Sequence, residues 1–298
     1  MNGARVASGQ ERVDPTPLAA LIREGARLAR LHFRSLFPAV AVPVAGATAV
    51  LAILQATWLG GALTAGPLAP AGPLIRGLLA LLLVVVLTVL IRAVGYAALM
   101  AGCVAARFGA EAGGWTSWRR LVPSRVSGTL LLGVVVMALA TLLLVLPALY
   151  AATLLAFLIP VVLLEGRAGM EALRRSADLV RSHRAGRVLQ RSTVRAFLIA
   201  VVGGLVAYAA NVLTQLPFIL AQQVIIWRNV EQGAGTNAAA LRAGLLWMQL
   251  PAVILGSLVE VAVMLHVGFS LTLLYADVRR RTAGDEPRLT PLPLPAQE

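Results

Sequence analysis

Residues 126 to 164 form a run of thirty-nine residues without one charged side chain, VSGTLLLGVVVMALATLLLVLPALYAATLLAFLIPVVLL. A helix of about 20 apolar residues crosses the hydrocarbon core of a bilayer, which is about 30 Å thick. A run of twice that length is too long for one span and too apolar for the interior of a soluble domain. It must turn round in the membrane or at its surface. Pro147, in LPALY, marks the place, because proline cannot continue a helix interior.

The rest of the chain reads in the same way. It is 59% apolar and only 13% charged, with a mean hydropathy of +0.83. Backbone groups in lipid must be satisfied within the segment, so the expected fold class is all-α, a polytopic membrane helical bundle. Six spans are expected at about 37–59, 75–105, 126–147, 148–165, 196–223 and 243–276. They make one membrane domain over 17–282, with disordered ends at 1–16 and 283–298; the latter contains Pro287, Pro291, Pro293 and Pro295. The first apolar run begins only near Phe37, after a polar, arginine-containing segment, which suits an uncleaved signal anchor. The lone cysteine, Cys103, excludes an intrachain disulfide and a cysteine-built metal site.

Charge placement sets the expected orientation. The net charge is +13 and all 26 basic residues are arginine. In a soluble chain this balance would suggest nucleic acid. In a polytopic chain it is what basic cytoplasmic loops produce, so no nucleic-acid partner is expected. The segments before the first span and after the second, fourth and sixth contain 22 of the arginines, and the loop GGALTAGPLAPAG has no charge. Both termini are therefore expected in the cytoplasm of a cell whose inner membrane holds the protein. Trp58, Trp227 and Trp247 fall at the expected outer boundary and Trp115, Trp118 and Tyr275 at the inner one, as an interfacial aromatic belt.

Two charged segments read as amphipathic surface helices. At about 168–190, Met170, Leu173, Ala177 and Val180 recur at helical intervals, with Arg174, Arg175, Asp178, Arg181 and Arg184 on the other faces. Glu171 with Arg175, and Arg174 with Asp178, have the spacing of helical ion pairs. At 17–35, Leu18, Leu21, Ile22, Leu28 and Leu31 oppose Arg23, Arg27, Arg30 and Arg34. Such helices suit the headgroup layer, where arginines meet anionic lipid. Arg174, Arg175, Arg181 and Arg184 are accordingly candidates for binding lipid headgroups or a protein partner. A shorter relative, WTSWRRLVPSRV, suggests three units of surface helix plus hairpin.

Three strings resemble a known family. EGRAGMEALRRSADLVRSH is similar to the segment after the fourth span of a prokaryotic group of six-span proteins named after the membrane domain of glycerophosphoryl diester phosphodiesterase. LTLLYADVRRRTAGDE is similar to its closing signature, through Tyr275, Asp277, Arg279, Arg281, Gly284 and Asp285, and PTPLAALIREGARLARLHFRSLF resembles its N-terminal helix. Ala177 stands where that family usually has an aromatic residue. The resemblance implies a six-span architecture without assigned biochemistry. The catalytic domain of such phosphodiesterases, a soluble barrel with Glu, Asp and His metal ligands, has no counterpart here.

Candidate chemistry is sparse. His32, His183 and His266 are scattered, and no HExxH, DxD, GxSxG or P-loop string occurs, so no catalytic residue, metal site or cofactor is expected. The informative residues are charges within spans. Arg92 lies about sixteen residues into the second span and Glu260 about seventeen into the sixth. Both helices run in the same direction, so the charges fall at one depth. An unpaired charge there is costly, and a contact between Arg92 and Glu260 is expected, either fixing helix register or lining a path. Asn211 and Gln215 share one helix face, while His266 does not share that of Glu260. Gly95, Gly102, Gly203 and Gly204 would allow close helix contact. Tyr275, Asp277 and Arg279, at the end of the last span, are expected to form a cytoplasmic lock, with Asp277 held by an arginine of 174–191. The functional expectation is a non-enzymatic membrane scaffold or partner- and lipid-binding component. The alternative is a small transporter or permease component built on Arg92 and Glu260.

Overall fold

The computed structural model describes residues 16–63, 71–108, 118, 124–143, 145–182, 191–231 and 238–283. These form eight helices, with no strand among them: α1 (Leu18–Leu63), α2 (Ala71–Arg107), α3 (Ser124–Leu143), α4 (Val145–Leu154), α5 (Leu158–Glu165), α6 (Gly169–Arg181), α7 (Ser192–Glu231) and α8 (Ala238–Ala283). Four segments are long and apolar enough to cross a membrane: Leu18–Leu54, Leu82–Arg107, Ser192–Ile225 and Trp247–Thr282. A fifth is reached if Leu149–Glu165 and Gly169–Arg181, bent by 117°, count as one. Leu205, Leu213 and Leu220 on α7 and Leu79, Leu82 and Val86 on α2 are exposed, an apolar surface that suits lipid.

α8 is the central helix. It packs most extensively on α1 and α7, and also on α2. Close approach is made possible where side chains are absent. A Cβ on Gly203 would strike Val267, and one on Gly25 would strike Ser270. Gly95 likewise admits Val44, whereas Gly204 has nothing within 4 Å and does not serve the close contact expected of it.

The first surface helix and the first span are one helix. The expected break near residue 36 is absent, although α1 contains Pro38 and Pro43. Pro43 has no N–H for the carbonyl of Ala39. The Trp118 indole N–H donates to that carbonyl at 2.9 Å instead. Trp118 thus supplies the donor that Pro43 lacks. Leu21, Ala29 and Leu36 form the buried face of α1, while Ile22 and Leu31 from the expected stripe are exposed.

The long uncharged run divides into α3 and the pair α4–α5. Pro147 sits in the first turn of α4, where its missing N–H is tolerated. Pro160 stands in the first turn of α5, just after the turn at 155–157. Ser176 of α6 donates its hydroxyl to Leu154 O at 2.6 Å, satisfying a carbonyl at that interruption. The string EGRAG then reverses the chain through two glycines of positive φ, Gly166 (67°) and Gly169 (58°), a conformation that side-chain-bearing residues avoid.

α6 is built into the bundle rather than laid on its surface. Its buried face is Ala172, Leu173, Ser176, Leu179 and Val180, with Met170 exposed. The expected stripe is therefore rotated, because small Ala172 and Ser176 allow α6 to approach α4. Both ends are stitched by other helices. Thr129 Oγ1 accepts from Gly169 N–H at 2.7 Å. Ser192 and Thr193 donate to Val180 O at 2.6 and 2.7 Å. The likeness between first and third units fails at this junction: α1 runs straight into its span, whereas α6 is a separate helix. Residues 183–190 lie outside the described residues, as do 1–15 and 284–298 of the expected disordered ends 1–16 and 283–298; Ala283 closes α8, and Thr16 is held firmly, as shown below.

Candidate functional site

α2 and α8 bring the two intramembrane charges together. Arg92 Nη2 lies 3.2 Å from Glu260 Oε2, deep within two apolar helices. Tyr96, one turn beyond Arg92 on α2, donates its hydroxyl to the other carboxylate oxygen, Oε1. Sequence reasoning missed Tyr96. Its four-residue spacing from Arg92 was the available signal, since residues so spaced share a helix face. The glutamate is mostly enclosed, whereas 41% of the Arg92 side chain is open. Arg92 Nε is buried without a hydrogen-bond partner among the described residues.

The open side of Arg92 faces a cavity of about 170 Å³ between α1, α2, α7 and α8. Thr48, Thr88, Asn211, Gln215 and Ser257 line it with Arg92. Six polar residues from four helices converge there. Thr88 donates to Val84 O at 2.7 Å and Ser257 to Val253 O at 2.8 Å, so both hydroxyls are anchored to their own helices. Thr48 and Ser257 stand 3.0 Å apart across the α1–α8 interface. Gln215 Nε2 donates to Asn211 Oδ1 at 2.8 Å. These two fit against α8 because residue 256 is glycine; a Cβ there would strike Asn211 Oδ1.

The charges of Arg92 and Glu260 cancel. The cavity wall is therefore polar but formally neutral, and it retains unused hydrogen-bonding capacity in the guanidinium. His266 is not part of it, as its spacing from Glu260 required.

A second ionic cluster lies at the arginine-rich end of the bundle. Asp277 accepts from Arg195 Nη1 at 3.0 Å and Arg281 Nη2 at 2.6 Å. It also accepts from the N–H and hydroxyl of Thr16, at 3.2 and 2.8 Å. Arg195 is 1% exposed and also donates to Thr16 O. The expected arginine of 174–191 is thus replaced by Arg195, from the first turn of α7, because that turn packs directly against the end of α8.

The segment around α6 reaches the same end of α8 through Glu165 instead. Glu165 Oε1 accepts from Tyr275 at 3.0 Å and faces Arg279 at 3.2 Å; Oε2 accepts from Arg175 at 2.9 Å and faces Arg167 at 3.4 Å. Tyr275 is fully buried within the bundle. Arg175 is committed to Glu165, and Glu171 pairs with Arg167 at 2.9 Å rather than with Arg175. Of the four arginines proposed as a binding face, Arg174 is exposed, Arg181 donates to Tyr150 at 3.0 Å, and Arg184 lies outside the described residues.

Comparison with protein-family models, with curated proteins and with solved structures finds no match for the chain. The functional reading therefore rests on the geometry of the two clusters.

Proposed function

We propose that this is a permease-type membrane component that binds and passes a small polar solute at the Arg92 cavity. The observation that carries the reading is a polar cavity reaching a half-open, charge-paired arginine inside apolar helices. A pair whose only task is to fix helix register gains nothing from five further polar side chains and open volume. Intramembrane charges characteristically mark such pathways. The neutral wall favours an uncharged or zwitterionic solute, since a lone ion would stand uncompensated in low dielectric. In this reading the chain has six spans with both termini cytoplasmic, and belongs to the six-span family that its EGRAG and LYADVRRR strings resemble.

The test requires no knowledge of the solute. Cys103 is fully buried and gives a silent background. Thr88→Cys and Gln215→Cys should react with a water-soluble maleimide, because thiolate forms where water reaches. Leu213→Cys, on the exposed apolar face of α7, should stay unreacted. Unreactive cysteines at both 88 and 215 would mean a dry bundle and return the protein to the scaffold reading. That second reading draws its support from Arg30 and Arg34, exposed arginines on α1 available to a partner.

A further inference from the structure

We propose that the solute of the permease reading, on which this inference rests, is a small uncharged polyol of the size of glycerol or erythritol. What the Arg92 cavity offers a solute is set by what its own hydrogen bonds leave over. The hydroxyl hydrogens of Thr88 and Ser257 are committed to Val84 O and Val253 O, at 2.7 and 2.8 Å. That of Thr48 goes to Val44 O at 2.8 Å or is shared with Ser257. A hydroxyl has one hydrogen and two lone pairs, so these three oxygens remain as acceptors. Asn211 and Gln215 bond each other through Oδ1 and Nε2, which leaves the Asn211 amide nitrogen as a donor and the Gln215 carbonyl oxygen as an acceptor. Arg92 adds donors beyond the Nη2 that it gives to Glu260.

Charge narrows the class further. Glu260 is not among the described residues that line the cavity, and its two oxygens are taken by Arg92 and Tyr96. A solute ammonium would therefore meet only hydroxyl and amide oxygens, and a solute carboxylate could reach Arg92 only in competition with Glu260. Either charge would be poorly compensated away from water. The wall thus disfavours the zwitterion that its net neutrality alone would admit. A polyol hydroxyl donates and accepts at one atom, which matches a lining of mixed donors and acceptors. Leu51, Ala52, Val84 and Val253 complete that lining, where the C–H edges of the carbon chain would pack. The volume of about 170 Å³ equals the share of about six waters at roughly 30 Å³ each, room enough for a short polyol and too much for urea.

The experiment is protection of a cavity cysteine in the full chain reconstituted in liposomes. Ala52→Cys places the thiol on the cavity wall without removing a hydrogen-bonding group, and it should react with a water-soluble maleimide. Erythritol should slow that reaction, whereas glycine and urea at equal osmolality should not. Adding Thr88→Val should raise the half-protecting concentration of erythritol about fivefold, the worth of one hydrogen bond, and Thr88→Ser should restore it. An unchanged labelling rate without solute shows that these variants keep the fold. Protection by glycine or urea in place of erythritol, protection by none of the three, or a Thr88→Val variant protected as before overturns the polyol assignment, while the wet cysteine leaves the permease reading standing. A cysteine at 52 that never reacts overturns both.

Discussion

Replacing Asp277 with alanine should be the most destabilising single change at the arginine-rich end. The carboxylate is 7% exposed and serves two arginines that are 1% and 6% exposed, Arg195 and Arg281. Its loss leaves Arg281 with a bond to the backbone carbonyl of residue 277 and Arg195 with that of Thr16. Removing one partner of a buried pair typically costs about 3–5 kcal/mol, chiefly through the charge left behind. The Arg27–Glu24 contact, with side chains 74% and 44% exposed, belongs to the surface class worth about 0–1 kcal/mol. Burial therefore decides the difference between two contacts of similar distance. The same logic predicts an asymmetry. Arg195→Met removes the buried cation and leaves Asp277 paired with Arg281, so it should cost less than Asp277→Ala. Combining the two should be milder than Asp277→Ala alone, a non-additivity that a double-mutant cycle reads directly. The assay is unfolding by sodium dodecyl sulfate from dodecylmaltoside micelles, followed by helical circular dichroism. A loss below about 1 kcal/mol in Asp277→Ala, or a double variant no more stable than that single one, would refute the reasoning.

The other predictions use the same assay. Glu260→Gln should cost about 1–2 kcal/mol, below the roughly 2.5–3.5 kcal/mol of an isolated mid-membrane arginine, because Arg92 keeps its opening to the cavity. Arg92→Leu with Glu260→Leu should be more stable than either single variant, and a neutral Glu260→Gln would argue that the pair carries no electrostatic weight. Trp118→Phe should cost about 1–2 kcal/mol by leaving Ala39 O without its donor. In a Pro43→Ala background, where the backbone N–H is restored, most of that cost should disappear; an unchanged cost would show that packing rather than the hydrogen bond is responsible.

The parts of this arrangement that were legible in the sequence were those governed by long-range necessity. Thirty-nine uncharged residues are too many for one span and divide into separate helices, and two opposite charges at one depth demand each other. What escaped depended on local replacement of one hydrogen-bond partner by another. The start of the apolar run near Phe37 marked a boundary in α1, but nothing in hydropathy says that an indole some eighty residues later will supply the donor that Pro43 lacks. The inward face of α6 was misplaced because the stripe ran through Met170 and Ala177 and left out Leu179, and because Ser176 is polar yet buried by its bond to Leu154 O. Arg195 counted only as one of the arginines after the fourth span, and Glu165 only as the first residue of the family-like string. Their roles become visible only when α5, α7 and α8 end at the same place.

The two clusters differ in how firmly they join α7 to α8. At the arginine-rich end, Arg195 binds Asp277 in a buried ion pair, and Glu165 ties α5 and α6 to the same turn of α8. At the cavity, the described polar groups of α7 satisfy one another: Gln215 donates to Asn211, while Asn211 meets α8 at the bare backbone of Gly256. The contacts of Glu260 with Arg92 and Tyr96 join α8 to α2, and Thr48 with Ser257 joins α8 to α1. Among the described contacts, the opening of the cavity that breaks fewest hydrogen bonds is thus a tilt of α7 away from α8, pivoting at Arg195 and leaving the Arg92–Glu260 pair intact. In the permease reading proposed above, admission of a solute would be governed by packing against glycine and its binding by the arginine, so that the two could change independently.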